Sequence, residues 1–278
     1  MSEFRINARI LFLGLLVFLL ASGCAGKTIP AATSTTAPAA APAATAASQP
    51  RAELDMESTV HDFLANLPEG WGLAASQTVA KTKPFIVDVR QPDEYSQGFI
   101  ESAVNIPLRE LVRNLQAMPA LDQDIVVVCS SGDRSAIGMA ALQMLGYKKV
   151  KSIAGGMQAW QAAKLPVVTQ PIPQRPSGSP PKVNADLQST LDHYLTSVLP
   201  DGWGMISPSD LATDQTRKST LETEIQPETY DQGPSFLVDV SEPDEFARGS
   251  LPKVINIPIR GLPDNLDKLP ADKITLWF

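Results

Sequence analysis

Apolar residues in this chain gather in short blocks whose spacing switches between that of strands and that of helices. Phe85 to Val89 and Ile125 to Val128 are short β-branched runs, as expected of parallel strands covered on both faces. Ser135 to Leu145 carries apolar residues at helical spacing and stops at Gly146, which predicts a helix with a glycine C-cap. Val150 to Ile153 reads as another strand and Met157 to Ala163 as another helix. Strands alternating with helices predict an α/β fold, a central parallel sheet flanked by helices. Loops that do chemistry in such folds lie at the carboxyl ends of strands. Cys129 stands at one such end.

The pattern is also repetitive. Ser58 to Gly72, which ends in Trp71-Gly72, returns as Ser189 to Gly204, which ends in Trp203-Gly204. Phe85 to Tyr95 returns as Phe236 to Phe246, and Val104-Asn105-Ile106-Pro107 as Ile255-Asn256-Ile257-Pro258. Three collinear blocks predict a duplicated domain. The first copy is expected over 52–169 and the second over 184–278, with a proline-rich linker over 170–183. The polar, acidic stretch from Ala212 to Pro234 reads as a surface loop inserted in the second copy. Aligning Ile125 with Ile274 puts Val128 opposite Trp277 and Cys129 opposite Phe278, so the second copy is expected to be truncated and to lack the cysteine loop.

Ahead of the first copy the apolar pattern changes character. Arg5 and Arg9 precede the apolar run from Ile10 to Ala21, which is too short to span a bilayer and reads as an export signal over 1–24. Ala21-Ser22-Gly23-Cys24 resembles the lipobox of bacterial lipoproteins, with leucine commoner where Ala21 stands; the resemblance implies cleavage before Cys24 and lipidation of its thiol. Residues 25–51 are almost entirely Ala, Pro, Thr and Ser, too little apolar surface to offset the entropy of ordering, and read as a disordered tether. The location implied is the bacterial cell envelope, lipid-anchored to a membrane and extracytoplasmic.

Composition narrows the chemistry. A net charge of -7 with no basic stripe argues against nucleic acid as a partner. Two histidines and two widely separated cysteines exclude a Cys/His zinc site and a disulfide framework, and no metal or cofactor is expected.

What remains is the segment Val128-Cys129-Ser130-Ser131-Gly132-Asp133-Arg134-Ser135, a strand, a tight loop and a helix start. A sulfur at that junction faces loop N–H groups and the positive end of the helix, which favour a thiolate. Gly132 lets the loop curl and Arg134 adds a fixed charge. The blander reading, a small buried hydrophobe ending a core strand, is less suited to glycine, arginine and serine at these offsets.

Cys129-x-x-Gly132-x-Arg134-Ser135 resembles the active-site loop of rhodanese-domain sulfurtransferases. Val87-Asp88-Val89-Arg90, Glu94-Tyr95, Gly98-Phe99-Ile100, Ala103 to Pro107 and Gly155-Gly156-Met157-x-Ala159-Trp160 match the family in order and spacing. The resemblance implies a small α/β domain in which Cys129 accepts sulfane sulfur as a persulfide and passes it to a nucleophile. Cys129 and Arg134 would be the catalytic pair, Ser130, Ser131, Gly132, Asp133 and Ser135 the persulfide-binding loop, and Asp88, Arg90 and Glu94 the polar support beneath it. Asn105 and Trp160 are expected to be packing and turn residues. The partners implied are a small sulfane-sulfur donor and a thiol or cyanide-like acceptor, and no general base is required.

Two departures from the family pattern matter. Ser130 and Ser131 are neutral and Asp133 is acidic where many thiosulfate-using members carry a cation, which disfavours a dianionic donor relative to a polysulfide or persulfide. Phe99 also stands where a histidine is usual. The alternatives are a non-catalytic interaction module and a cysteine-dependent phosphatase or arsenate reductase, whose loops usually place five residues between Cys and Arg where this one has four. The second copy, with Ser241 replacing the arginine, is expected to be catalytically silent. Palmitate labelling of the full chain, lost in Cys24→Ala, is the expected behaviour of the lipobox; an unlabelled wild type overturns it.

Overall fold

The computed structural model describes residues 55–67, 72–170, 181–206, 209–210, 235–252, 254–270 and 274–277. The signal-like segment, the tether, most of the linker and the acidic insertion, with Cys24, lie outside them.

Five parallel strands form the first sheet in the order β1-β5-β4-β2-β3: β1 (Leu73–Ala74), β2 (Phe85–Asp88), β3 (Val104–Asn105), β4 (Asp124–Val128) and β5 (Lys149–Ile153). β4 lies at the centre, and Ile125 to Val128 are all buried. Its side chains alternate between two cores. Ile125 and Val127 join Val87, Leu108, Leu111 and Ile137 on one side. Val126 and Val128 join Ile86, Ile153, Met157 and Trp160 on the other. Burial on both faces is why the strand is an unrelieved β-branched run.

The helices preceding the sheet's centre are α1 (Met56–Ala65), α2 (Ser76–Thr82) and α3 (Pro92–Ser96); α4 (Asp133–Met144) and α5 (Gly156–Ala162) follow β4 and β5. α4 is buried from Arg134 through Leu142, and small residues let it lie close to the sheet. A Cβ on Gly138 would sit 3.1 Å from Leu111 and 3.4 Å from Val127. The spacing of apolar residues predicts a start at Ser135, and the helix begins two residues earlier. Gly132 takes φ 113° and turns the chain directly into the first turn, so Arg134 is helical and aimed by the helix.

Beyond the linker, α6 (Ala185–His193) continues as a π-turn through Val198, and a second sheet is formed by β6 (Ser235–Asp239), β7 (Ile255–Asn256) and β8 (Ile274–Trp277), with α7 (Pro243–Phe246) after β6. Its order, β7-β6-β8, and its parallel pairing are those of β3-β2-β4. Asp88 pairs with Asn105 and Asp239 with Asn256. The ladder corrects one expectation: Val127 lies opposite Val87 and Trp277 opposite Val238, so Trp277 takes the place of Val127 and not of Val128. An alignment made on isoleucines alone does not see this register, which the pairing to the neighbouring strand fixes.

The two units exchange helices. α1 packs against Ile259–Gly261 and Pro263–Lys268 of the second unit, while α6 and its π-turn pack against Leu108–Arg113 of the first. Both helices present apolar side chains at i, i+4 spacing, Val60 and Leu64 in one, Leu187, Leu191 and Leu195 in the other, and all join one continuous core with Leu108, Leu111, Ile259 and Leu262. Equivalent arginines close the ends. Arg109 donates to the carbonyls of Leu195 (2.8 Å) and Leu199 (2.9 Å), and Arg260 to those of Ala65 (3.3 Å) and Leu67 (2.7 Å), where helix C-termini leave acceptors without intrahelical partners. Gln188 adds a bond to the Val112 carbonyl at 2.6 Å and Arg113 an ion pair with Asp192.

Because Leu191 is fully buried in this shared core, Leu191→Ala is expected to destabilise the first unit as well as the second, by about 2–5 kcal/mol. Urea unfolding followed by a probe in each unit tests this; a first-unit transition unchanged by the substitution would show that the cores are independent.

Candidate active site

The site forms where β4 ends. Cys129 is fully buried, and its Sγ accepts a hydrogen bond from the Gly132 N–H at 3.1 Å. The Ser135 hydroxyl lies 3.5 Å from the same sulfur, donates to the Gly132 carbonyl at 2.9 Å and lies 2.8 Å from the Ser152 hydroxyl on β5.

For N–H groups to face the sulfur, the neighbouring carbonyls must face away and find partners. The first turn of α5 supplies them: Met157 N–H donates to the Cys129 carbonyl at 2.8 Å and Gln158 N–H to the Ser130 carbonyl at 3.0 Å. This approach admits no side chain at Gly156, whose φ is +57° and whose Cβ would stand 2.4 Å from the Cys129 carbonyl oxygen.

Two ion pairs underlie the loop. Asp88 and Arg90 form the deeper one, the guanidinium meeting the carboxylate at 2.6 Å and donating onward to the carbonyls of Gly98 (2.8 Å) and Glu94 (3.2 Å). Asn105 braces the same turn through the carbonyls of Asp88 and Arg90. In the outer pair Arg134 donates to both oxygens of Glu94, each at 2.6 Å, and to the Ser130 hydroxyl, which itself donates to Glu94 at 2.8 Å. Arg134 above all holds the Glu94 carboxyl down at about 2 from its ordinary 4.5, with the Gln91 N–H and Ser130 adding to the effect against the opposing influence of burial.

The residues singled out in the sequence thus gather at one strand end, in different positions. Gly132 and Ser135 touch the sulfur, Ser130 and Arg134 face Glu94, and Ser131 and Asp133 bond to each other on the exposed side of the turn at 2.5 Å. Phe99 is buried and stacks on Tyr95 with centroids 4.0 Å apart, a packing role for the position where a histidine is usual. Burial raises the Tyr95 phenol to about 12, and the hydroxyl donates to the Ala103 carbonyl. Trp160 donates to the Pro166 carbonyl at 2.9 Å.

Two residues at the site were not legible in the sequence. Ser152 reads as an ordinary strand position. Trp203 is marked only by its recurrence with Trp71, yet its ring lies beneath Arg134 at 5.3 Å and beneath Arg109 at 5.2 Å.

Beside the loop opens a cleft of about 200 Å³ lined by Arg90, Glu94, Ser130 and Met157 with the amides of Gln97, Gln158 and Gln161. Among the described residues no group of three or more His, Cys, Asp or Glu side chains is placed to hold a metal ion.

The family model of the rhodanese-like domain matches residues 73–163. A protein of Allochromatium vinosum named sulfurtransferase is 37% identical over 94 residues, 34% of this chain and 87% of that one. A thiosulfate sulfurtransferase of Escherichia coli is 34% identical over 73 residues, 26% of this chain and 69% of that one. A protein of Arabidopsis thaliana named thiosulfate sulfurtransferase 18 is 31% identical over 111 residues, 35% of this chain and 82% of that one. The chain belongs to the rhodanese-like domain family.

The Glu94–Arg134 pair gives a pH signature. With Glu94 depressed from 4.5 to about 2 in the folded chain, the unfolded state binds more protons between those values. The pair's contribution is complete above about pH 4.5 and is lost as pH falls towards 2. Glu94→Gln is therefore expected to lower stability at neutral pH and flatten the acid limb of the stability curve in that window. Urea midpoints from pH 2.5 to 7 check it; parallel curves for the two chains would assign the acid limb to other groups.

Proposed function

We propose that this chain is a sulfurtransferase that carries sulfane sulfur on Cys129. The Cys129 sulfur attacks the outer sulfur of a donor, an S–S bond forms as the donor's bond to that sulfur breaks, and the leaving group departs with the electron pair. A thiol or cyanide-like acceptor then attacks the outer sulfur and Cys129 leaves as thiolate. The observation that carries the reading is the Gly132 N–H directed at Sγ from a loop whose carbonyls are drawn outward by α5. N–H groups so arranged stabilise an anionic sulfur without a base.

The position of Arg134 favours this over phosphatase chemistry. Both of its terminal nitrogens are committed to Glu94, whereas a phosphatase needs its arginine open to a tetrahedral oxyanion. The same commitment, with Arg90 tied to Asp88 and Asp133 at the loop's outer edge, leaves little positive charge for a dianion. A polysulfide or persulfide donor suits the site better than thiosulfate.

In the wider organisation we propose, the segment after the linker is a second, catalytically silent copy. Its Asp239 bonds Ser241 and Ser250 where Asp88 pairs with Arg90. Lipidation at Cys24 and the tether would hold both units outside the cytoplasm, close to a membrane surface.

Incubated with inorganic polysulfide and desalted, the wild-type chain is expected to retain about one cyanolysable sulfur per molecule and Cys129→Ser none, with thiosulfate loading more slowly. Release of phosphate from an aryl phosphate would support the phosphatase, and inertness towards every donor the interaction module.

A further inference from the structure

The family match ends at Ala163, yet the outer ion pair of the site is covered by a residue 40 positions further on. Trp203 sits between Gly202 and Gly204, and all three have positive φ, 75°, 66° and 70°. A bulky side chain in that region is costly and persists where its surroundings hold it. Here the surroundings are two guanidinium groups, Arg109 and Arg134, both within 5.3 Å of the ring centroid. Arg109 in turn anchors the segment by bonding the carbonyls of Leu195, Leu199 and Pro200. Arg134 therefore has Glu94 and Ser130 on one side and an aromatic face on the other.

We propose that Trp203 is a positioning residue for the Cys129 loop, its ring clamping Arg134 against Glu94, so that the segment beyond the linker completes the active site of the first unit. The cation is desolvated by its burial, the setting in which an aromatic face holds a guanidinium most strongly. Loss of the clamp frees Arg134 to leave Glu94 and Ser130, and the loop opens around a sulfur that is otherwise buried. Only the consequence for turnover rests on the sulfurtransferase reading.

The test uses the full chain and iodoacetamide, with alkylation of Cys129 followed by peptide mass spectrometry. Trp203→Met fills the space without an aromatic face and is expected to raise the alkylation rate about fivefold, equivalent to about 1 kcal/mol, while slowing polysulfide loading. Trp203→Phe restores wild-type rates within about twofold. In an Arg134→Gln background Trp203→Met adds nothing. Fluorinated tryptophan incorporated throughout keeps the ring's shape and weakens its negative face, so the same rise is expected even where Trp203→Met fails to fold, and it disappears when Trp203→Phe removes the label at that position. Unchanged alkylation in a folded Trp203→Met, a rise that persists in Arg134→Gln, or a fluorination effect insensitive to Trp203→Phe each overturns the assignment. If no chain loads sulfur but the alkylation pattern holds, the clamp stands and the sulfurtransferase reading falls.

Discussion

The turn after β4 must reverse the polarity of its backbone within three residues, and most of the molecule is arranged around that requirement. Gly132 directs its N–H at Cys129, so the carbonyls of Cys129 and Ser130 point the other way and need donors. A buried carbonyl without a partner is costly. The N–H groups at the start of α5 answer that need, and Gly156 is the residue that lets α5 come close enough. β5 fixes where α5 begins, and Ser152 on β5 ties the same strand to Ser135. The sheet thus acts on the sulfur through one short helix and one hydroxyl pair.

The charged residues do a different job from the one their signs suggest. Arg90 and Arg134 are both close to the loop, but each is matched by a carboxylate, Asp88 or Glu94, and by backbone carbonyls or a hydroxyl. Paired in this way they fix the geometry of the turn, while Arg134 remains close enough to couple electrostatically to Cys129. The Gly132 N–H is the backbone donor directed at the sulfur itself, and its orientation costs no reorganisation once the fold is made. Ser131 donates to acidic Asp133 on the exposed side of the turn, so that carboxylate is engaged away from the sulfur.

The helix exchange makes the two units interdependent. Arg109 and Arg260 occupy equivalent places, two residues after the Pro107 and Pro258 turns, and each closes the end of the other unit's helix. A short pair of 3₁₀ segments beside three strands offers limited apolar area, and an amphipathic helix laid across it buries far more. The sequence blocks that recur at the start of each unit are therefore the parts that cross over. Trp203 travels with this exchange, which is how a residue beyond the linker reaches Arg134.

Local chemistry was legible from the chain alone. The β-branched runs marked β2 and β4, Gly132 marked the turn, and the spacing of Cys129, Gly132, Arg134 and Ser135 marked the loop, because backbone sterics and strand burial act over a few residues and leave their trace in order. The support from Asp88, Arg90 and Glu94 was also legible, since its members lie within one strand and the turn that follows. What only the tertiary structure decided was partnership across distance: which helix covers which unit, the register that puts Trp277 opposite Val238, the Ser135–Ser152 contact, and the ring of Trp203 over Arg134. Apolar stripes specify that a helix must be buried and leave its partner open, because the hydrophobic effect is non-directional. Here the choice is set by the carbonyls that Arg109 and Arg260 can reach and by the single core that the exchange completes.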